Sequence, residues 1–577
     1  MEKYYTAERN VQIVVSLLKQ YGIKRIIASP GTTNLTFVAS VQHDPFFTVY
    51  SAPEERSAGY MAVGMAEESG EPVVITCTGA TASRNYLPAL TEAFYRKLPV
   101  IAITASQPKR LVGQLIPQVI DRSNCPADTV NFSTHIALVK DNGDAWDAEL
   151  KMNHAMHSLK LNGGGPVHIN LETSYDKDFS VRELPKAKKI PLYESCDVLP
   201  ALSSGRIGVF IGAHPRMDAR LTEAIDKFCQ ANNATVYCDH TSNYKGAFRL
   251  QYPLLLSQDN WVADIASLDI MIHIGGVSGA YTQPCATDVW RVNEDGMIRN
   301  PFNSLSAVFK MRELDFFTKY SSGNSGSDSF YEKCKADLES IRHEVPSDLP
   351  FSNIWIAQQL APFIPENAVM HFGILNSLRS WNFFEVANSV NTYCNVGGFG
   401  IDGALSTVIG GALAQPERLH FIVVGDLAFF YDMNSLGNRH LPSNLRILLV
   451  NNGKGTEFTN YNHPAYAFGS GADEYMAAAG HYGHKSNWLV RHYAEDLGLE
   501  YRAVSDKAEL IAAREWFVSP NMDKPVILEA FTDSEDENTA LHIIRNLRVN
   551  GIVKLENSLR KVVGRRGVEL AKKVLKR

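Results

Sequence analysis

Short apolar runs alternate with amphipathic stretches along the first third of the chain. The runs have the length and the β-branched content of buried strands, at Arg25–Ala28, Phe47–Tyr50, Pro72–Cys77, Pro99–Thr104 and Pro166–Asn170. Between them, apolar residues recur at helical spacing over Val11–Tyr21, Ser57–Ser69 and Ala82–Lys97. Strands that alternate with helices predict a parallel sheet covered on both faces.

The same alternation returns twice. A linker rich in Pro and Lys at 184–192 precedes a second set, which begins at Arg206–Gly212 and fades in the Gly- and Ser-rich stretch 321–328. A third set has strands at 368–371, 419–424, 446–450 and 525–530. We therefore predict an α/β protein of three consecutive doubly wound parallel-sheet domains, at 1–185, 195–335 and 350–577. The first and last thirds could be two copies of one fold.

Composition changes this picture little. Of 577 residues, 45% are hydrophobic and 20% are charged, as in ordinary folded proteins, and the net charge of −6 gives no reason to expect nucleic acid or an anionic membrane as partner. No stretch approaches the ~18 apolar residues of a membrane span, and the start lacks a signal-peptide pattern, so we expect a cytoplasmic protein. The basic run 554–577 is interpreted as a solvated terminal helix, with a basic amphipathic helix as the alternative.

The strongest chemical signal is a pair of polar strand ends. An apolar strand runs into Gly425-Asp426, and a second leads into Asn451-Asn452, which places Asn452 26 residues after Asp426. Both ends should emerge at the carboxyl edge of a parallel sheet, where open α/β folds bind ligands. A carboxylate, an amide oxygen and a backbone carbonyl, which we assign to Lys454, suit Mg²⁺, or Mn²⁺ or Ca²⁺. The remaining metal positions could take phosphate oxygens.

This pairing resembles the diphosphate motif of thiamine diphosphate enzymes of the decarboxylase and synthase type. More specifically, the chain is similar to the family of 2-succinyl-5-enolpyruvyl-6-hydroxy-3-cyclohexene-1-carboxylate synthases of menaquinone biosynthesis. The matching segments lie in both outer domains, at 29–31, 55–59, 76–79 with 87–90, 397–407 and 425–427. The resemblance implies thiamine diphosphate with a divalent metal as cofactors. It also implies a homodimer or homotetramer, with active sites where the first domain of one subunit meets the last domain of its partner.

Several residue roles follow from the resemblance. Glu55 would hydrogen-bond the pyrimidine ring of the cofactor and act in catalysis, although a Glu in a first helical turn often only complements the helix dipole. Ile401 would hold the cofactor bent, or be an ordinary core residue. Gln118 is a candidate catalytic group and Ser377 a candidate cofactor contact, and an exposed loop group is the alternative for each. The cofactor contacts are completed by Gly425, Asp426, Leu427 and Asn452.

The chain departs from the family at four positions where the family has arginines that hold substrate carboxylates. Those positions carry Thr33, Gln107, Trp381 and Val396. Without these guanidinium groups the family's anionic substrates should bind poorly, so we expect a different substrate pocket, matched to a neutral, hydroxylated or apolar acceptor. Nearby basic residues could rebuild an anion site, namely Arg84, Lys109, Arg110 and Arg379.

The resemblance implies decarboxylation of a 2-oxo acid and transfer of the acyl-anion equivalent to a carbonyl or alkene acceptor. Three alternatives stay open: the menaquinone-pathway synthase itself, which uses 2-oxoglutarate and isochorismate, a simple 2-oxo acid decarboxylase, and a catalytically silent homologue. A nucleotide-binding dehydrogenase is disfavoured because 208–212 lacks a Gly-x-Gly-x-x-Gly pattern. Candidate proton donors are His463, His481 and His484, although a lone His in a polar loop is more often not catalytic.

Overall fold

Parallel sheets form the framework of the computed structural model, which describes residues 4–321, 329–481 and 485–549. The chain divides into two compact units, Met1–Leu199 with Asn293–Met311, and Pro200–Val292 with Arg312–Arg577. His484 and the basic run 554–577 lie outside the described residues. Within the described part, no helix is both long enough and apolar enough to cross a membrane.

The first sheet lies in the first unit and has six strands. They are β1 (Arg25–Ala28), β2 (Thr48–Ser51), β3 (Val73–Cys77), β4 (Val100–Ser106), β5 (Phe132–Ile136) and β6 (Val167–Glu172). The order is β2-β1-β3-β4-β6-β5, and every neighbouring pair is parallel. The helices are α1 (Arg9–Gln20), α2 (Leu35–Gln42), α3 (Glu55–Ser69), α4 (Thr81–Arg84), α5 (Leu87–Tyr95) and α6 (Asn142–Ser158).

Burial explains why these segments form strands, and a glycine and a proline explain where two of the helices end or begin. All five residues of β3 are buried, as expected of a strand covered on both faces. The helix α3 ends at Gly70, whose φ of 65° is a left-handed conformation that glycine adopts without strain. The single helix expected over 82–97 is wrong, because the chain forms α4 and α5 with a break between them. Pro88 stands in the first turn of α5 and lacks the N–H that a continuous helix would need.

A further set of parallel strands lies along the chain between the strands of the first sheet and those of the last. Its strands are β7 (Leu192–Glu194), β8 (Ile207–Ile211), β9 (Ala234–Cys238), β10 (Arg249–Gln251), β11 (Ser267–Ile274), β12 (Cys285–Asn293) and β13 (Leu305–Lys310). In the second unit β10, β9, β8, β11 and β12 pair in that order, all parallel, and in the first unit β13 pairs with β7, also parallel. The helices are α7 (Ala219–Asn232), α8 (Pro253–Leu256), α9 (Glu313–Tyr320) and α10 (Ser329–Glu344).

The last sheet lies in the second unit. Its strands are β14 (Val369–Phe372), β15 (Asn391–Cys394), β16 (His420–Gly425), β17 (Leu445–Asn451), β18 (Glu500–Val504) and β19 (Val526–Phe531). Its helices are α11 (Asn353–Leu360), α12 (Asn376–Trp381), α13 (Ala404–Ala414), α14 (Asp426–Asp432), α15 (Leu489–Asp496), α16 (Lys507–Val518) and α17 (Ser534–Ile544). The order β15-β14-β16-β17-β19-β18 is fully parallel and repeats the order of the first sheet strand for strand.

The architecture confirms the predicted fold class of parallel-sheet α/β domains. The matching strand orders also agree with the interpretation of the first and last thirds as two copies of one fold. In both sheets the chain order reverses between the first and third strands, here β1 and β3, and β14 and β16. Such a reversal opens a crevice at the carboxyl ends of the strands. The domain boundaries 1–185, 195–335 and 350–577 stay a prediction.

Candidate active site

The carboxyl ends of β14, β16 and β17 border one cleft in the second unit. The cleft holds about 710 Å³ of space, part of it open to solvent. The predicted cofactor and metal residues that line it are Ser377, Ile401, Gly425, Asp426, Leu427, Asn452 and Lys454. The structure therefore brings together every cofactor and metal residue that the sequence predicts for the last domain. Asn353, Glu457 and Glu537 line the same cleft.

Asp426 is the acidic group of this cleft. It begins α14 directly after β16, its side chain is 5% exposed, and its Oδ1 accepts a hydrogen bond from the Leu427 N–H at 2.9 Å. Burial, and to a smaller extent the Glu529 carboxylate, raise the pKa of Asp426 to about 7, although the Leu427 and Gly453 N–H groups act in the opposite direction. A carboxylate this deeply buried is disfavoured unless a cation or a proton accompanies it. This environment fits the predicted role of Asp426 as a metal ligand, which stays a prediction.

The two asparagines at the end of β17, the last strand residue Asn451 and the next residue Asn452, have different partners. Asn451 is buried, its Nδ2 donates to Glu529 Oε1 at 2.7 Å, and its Oδ1 accepts from the Gly453 N–H at 3.2 Å. Its amide is therefore satisfied within the fold. Asn452 instead carries a buried Oδ1 that accepts no hydrogen bond from any described residue. An orphaned acceptor beside a buried carboxylate fits an oxygen-liganded cation.

The backbone at Lys454 and Gly425 also fits a metal ion bound beside Asp426. The Lys454 side chain donates to Asp473 at 2.9 Å, which leaves its backbone as the part that could face a metal. A Cβ added at Gly425 would meet no atom within 4 Å, so the glycine keeps space open beside the cleft. Among the described residues no cluster of three or more His, Cys, Asp or Glu side chains could hold a metal. A metal here would need amide and carbonyl oxygens as well as Asp426.

Ile401 and Ser377 form part of the cleft wall. Ile401 is half-buried and packs against the core cluster of the last domain, so both its cofactor role and its core role remain compatible with its position. Ser377 is 3% exposed, at the second position of α12.

In the first unit, the two neighbouring glutamates at the start of α3 have different environments. Glu54 caps the helix, since its carboxylate accepts from the Arg56 N–H at 3.2 Å and the Ser57 N–H at 2.8 Å. Glu55 is half-buried, and its carboxylate accepts no hydrogen bond from the described residues. Its charge adds to the effect of burial in raising the pKa of the Cys77 thiol to about 12. Glu54 therefore caps the helix, and the Glu55 carboxylate remains available for the predicted contact with the cofactor.

The other first-unit candidates occupy different environments. Gln118 is exposed in a loop with a φ of 62°, and its backbone oxygen would lie 2.9 Å from a Cβ added at Gly79. Thr33 is 3% exposed, and its hydroxyl shares a 2.5 Å hydrogen bond with the Thr78 hydroxyl. Gln107 is half-buried and lines a small pocket with Arg122. Their catalytic and substrate roles stay predictions.

Trp381 and Val396 are interior residues. Trp381 is fully buried, its indole N–H donates to Asn353 Oδ1 at 3.2 Å, and it does not line the cleft. Asn353, which accepts this hydrogen bond from Trp381, does line the cleft. Val396 is 3% exposed, and a Cβ added at Gly279 would lie 3.3 Å from its Cγ1. Neither side chain faces the cleft directly, so any effect on substrate would pass through the residues packed against it.

The remaining basic and histidine candidates are largely engaged elsewhere or exposed. Arg379 pairs with Glu457 at 2.6 Å, and Arg84 is exposed and donates to the Asp121 carbonyl at 3.0 Å. Lys109 and Arg110 are exposed. His463 caps a 3₁₀ helix through an Ala465 N–H at 3.1 Å, which is a structural role.

Three ionisable side chains that the structure identifies as candidate functional groups were not predicted from the sequence. Glu457 and Glu537 line the cleft, and burial raises the pKa of Glu537 to about 7. Arg122 is 6% exposed, donates to the Ala105 carbonyl at 3.0 Å, and has two guanidinium nitrogens without a partner among the described residues. Glu457, five residues after Asn452, could have been noticed as a charge beside the metal motif, whereas Glu537 and Arg122 have no such local signal.

Comparison with known proteins decides the family. Residues 9–125 match the thiamine pyrophosphate enzyme N-terminal TPP binding domain. The 2-succinyl-5-enolpyruvyl-6-hydroxy-3-cyclohexene-1-carboxylate synthase of Phocaeicola vulgatus is 30% identical over 563 residues, 93% of this chain and 98% of that protein. The chain belongs to this family of thiamine diphosphate enzymes.

Two other members of the family align with this chain over a similar length and a similar share of both chains. The synthase of the same name from Bacteroides fragilis is 29% identical over 560 residues, 92% of this chain and 98% of that protein. The one from Flavobacterium johnsoniae is 27% identical over 564 residues, 92% of this chain and 97% of that protein. The predicted resemblance is thereby confirmed, and thiamine diphosphate dependence follows from family membership.

Proposed function

We propose that this thiamine diphosphate enzyme uses Mg²⁺ to decarboxylate a 2-oxo acid and to transfer the acyl-anion equivalent to a carbonyl or alkene acceptor. One observation carries the proposal: the buried Asp426 carboxylate and the unpartnered Asn452 Oδ1 line one cleft at the reversal point of a parallel sheet. A buried carboxylate and an unpartnered amide oxygen would suit a divalent metal, and thiamine diphosphate would bind together with it.

The residues of the chain have distinct tasks in this proposal. Asp426, Asn452 and the Lys454 carbonyl would hold the metal, and Gly425 with Leu427 would let the backbone approach the diphosphate. Ile401 would support the cofactor from the cleft wall, and Ser377 would provide a polar contact. When bound, thiamine diphosphate would supply a nucleophilic carbon and an acceptor for the electron pair released on decarboxylation. Glu55 holds a proton at the pyrimidine nitrogen, which requires a carboxylate free of competing hydrogen bonds.

Glu55 and the cleft residues belong to different units of the chain. We propose that a second copy of the chain completes the site, so that the active form is a homodimer or a homotetramer in the cytoplasm. Gln118 would then act at the edge of the substrate space contributed by the first unit. Thr33 and Gln107 would border that space, while Trp381 and Val396 would shape it from the interior. No membrane or nucleic acid is needed as a partner.

The synthase activity of the relatives is the second candidate, because identities of 27–30% extend over almost the whole chain. Formation of the succinyl adduct from 2-oxoglutarate and isochorismate would establish it. The loss of four expected arginines favours a different substrate. A simple decarboxylase would release an aldehyde without a requirement for an acceptor, and a silent homologue would release no CO₂.

The test is CO₂ release from a panel of 2-oxo acids by purified protein with thiamine diphosphate and Mg²⁺, with and without aldehyde acceptors. We expect release that depends on both additions, together with a ligated product when an acceptor is present. Glu55→Gln and Asp426→Ala should each reduce turnover at least a hundredfold. Wild-type turnover by Glu55→Gln would refute the role of Glu55, and the absence of CO₂ release from every acid would refute the proposed reaction.

A further inference from the structure

Carboxyl groups outnumber cations on the cleft wall. Besides Asp426, the acidic and basic residues that line it are Glu457, Glu537 and Lys454. The Lys454 ammonium is already paired with Asp473 at 2.9 Å. A metal held by Asp426 and Asn452 would compensate the Asp426 carboxylate. The wall therefore offers little attraction for an additional anion.

Glu457 is the most firmly held of these carboxylates. It lies in the 3₁₀ helix Thr456–Thr459, and its Oε1 accepts from Arg379 Nη1 at 2.6 Å. With the Asn376 amide oriented to satisfy its neighbours, Asn376 donates to Glu457 Oε2 at 2.7 Å and accepts from the Glu457 N–H at 3.0 Å. Both oxygens of the carboxylate are thus engaged. The side chains of Glu457 and Arg379 are each 17% exposed, so solvent screens this pair only partly.

Arg379 is held on its other sides as well. Its Nε donates to the Gly279 carbonyl at 3.4 Å, and its guanidinium lies 4.4 Å from the ring centroid of Tyr281. A second guanidinium, that of Arg545, lies 4.8 Å from the same ring and is paired with Asp259 at 2.6 Å. Each arginine of this stack has its own carboxylate partner. Arg379 therefore cannot bind a substrate carboxylate unless Glu457 is displaced.

We propose that Glu457 determines the charge specificity of the cleft by occupying Arg379. The donor is then a 2-oxo acid whose side chain carries no second carboxylate. This inference rests on the proposed function and names its substrate class. A second carboxylate near this wall would be repelled by Glu457 and would find Arg379 already neutralised. Removing the charge of Glu457 should release a guanidinium that binds carboxylates well.

Two 2-oxo acids with the same five-carbon chain provide the test, 2-oxopentanoate and 2-oxoglutarate, which differ by one terminal carboxylate. Wild-type enzyme should favour 2-oxopentanoate at least tenfold in kcat/KM. Glu457→Gln should shift this ratio at least tenfold toward 2-oxoglutarate, and adding Arg379→Gln should reverse the shift. Glu457→Asp, which keeps the charge, should retain the wild-type preference.

Glu385→Gln is the matched control, since Glu385 also pairs with an arginine, Arg342, but does not line the cleft. It should leave the ratio unchanged. The inference is overturned if wild-type enzyme prefers 2-oxoglutarate, or if Glu457→Gln leaves the ratio within twofold.

A binding measurement keeps this inference separate from the proposed reaction. Calorimetric titration of glutarate and pentanoate into protein loaded with thiamine diphosphate and Mg²⁺ requires no turnover. Glu457→Gln should tighten glutarate binding at least tenfold relative to pentanoate. If no 2-oxo acid releases CO₂, the proposed reaction fails, and the titration still decides the role of Glu457. Equal relative affinities in wild type and Glu457→Gln would contradict it.

Discussion

Replacing Asp426 by asparagine should stabilise the metal-free protein. Burial raises the pKa of Asp426 from 3.8 to about 7, a difference of about 3 pKa units, and at about 1.4 kcal/mol per unit the ionised form costs up to about 4 kcal/mol. Because the folded-state pKa lies above the unfolded value, the folded protein holds a proton that the unfolded chain lacks between about pH 4 and pH 7. Its stability therefore falls as pH rises through this window.

The assay compares unfolding midpoints of chelator-treated wild type and Asp426→Asn in urea at pH 5 and pH 8. The variant should be more stable than wild type at pH 8, by up to about 4 kcal/mol, and the difference should shrink at pH 5. Added Mg²⁺ should stabilise wild type and leave the variant unchanged, because only the wild-type site binds the ion.

Asp432→Asn is the control for this experiment. Asp432 ends the same helix and is also buried, but it accepts hydrogen bonds from the Ser406 N–H and hydroxyl, both at 2.6 Å. Its replacement should destabilise the protein at both pH values, since a charge-assisted bond is lost. If Asp426→Asn destabilised the metal-free protein as much as Asp432→Asn, the Asp426 carboxylate would be satisfied within the fold and the metal assignment would lose its physical basis.

Three further predictions concern other features of the fold. Glu537→Gln should reduce the loss of stability between pH 5 and pH 8 by up to about 3 kcal/mol in urea unfolding, because burial raises the pKa of Glu537 to about 7 from 4.5; an unchanged pH dependence would contradict this. Gly59→Ala should cost about 1 to 3 kcal/mol in the same assay, since its Cβ would lie 2.6 Å from Ala89 Cβ in the α3–α5 contact; no loss would mean that the helices can separate freely. Glu54→Ala should lower the melting temperature seen by circular dichroism without abolishing turnover, because Glu54 caps α3. If turnover were lost while the melting temperature stayed unchanged, the catalytic role would belong to Glu54 and not to Glu55.

The central strands of the sheets could be predicted from sequence because they are buried on both faces. Segments such as β3 and β17 consist entirely of buried residues, so they stand out as apolar runs bounded by polar ends. The strand β5, with the sequence Phe-Ser-Thr-His-Ile, was missed because four of its five residues are only half-buried at a sheet edge. The break before α5 could have been predicted from Pro88.

The site was predictable where its residues follow such strands directly. Asp426 and Asn452 come immediately after β16 and β17, so their approach follows from the sheet alone. The orientation of Trp381 did not follow, because a six-residue helix gives no pattern that distinguishes its inner face from its cleft face. Glu537 reaches the cleft from the first turns of α17, and only the tertiary packing of that helix against Asn353 brings it there.

The central claim is that the cleft binds thiamine diphosphate through a metal held by Asp426. Its most direct test is a calorimetric titration of thiamine diphosphate into wild type, Glu55→Gln and Asp426→Ala, each with Mg²⁺ and with chelator. We predict binding by wild type and Glu55→Gln with Mg²⁺, at least tenfold weaker binding by both with chelator, and no difference between the two conditions for Asp426→Ala. Metal-dependent binding by Asp426→Ala at wild-type affinity would contradict the account.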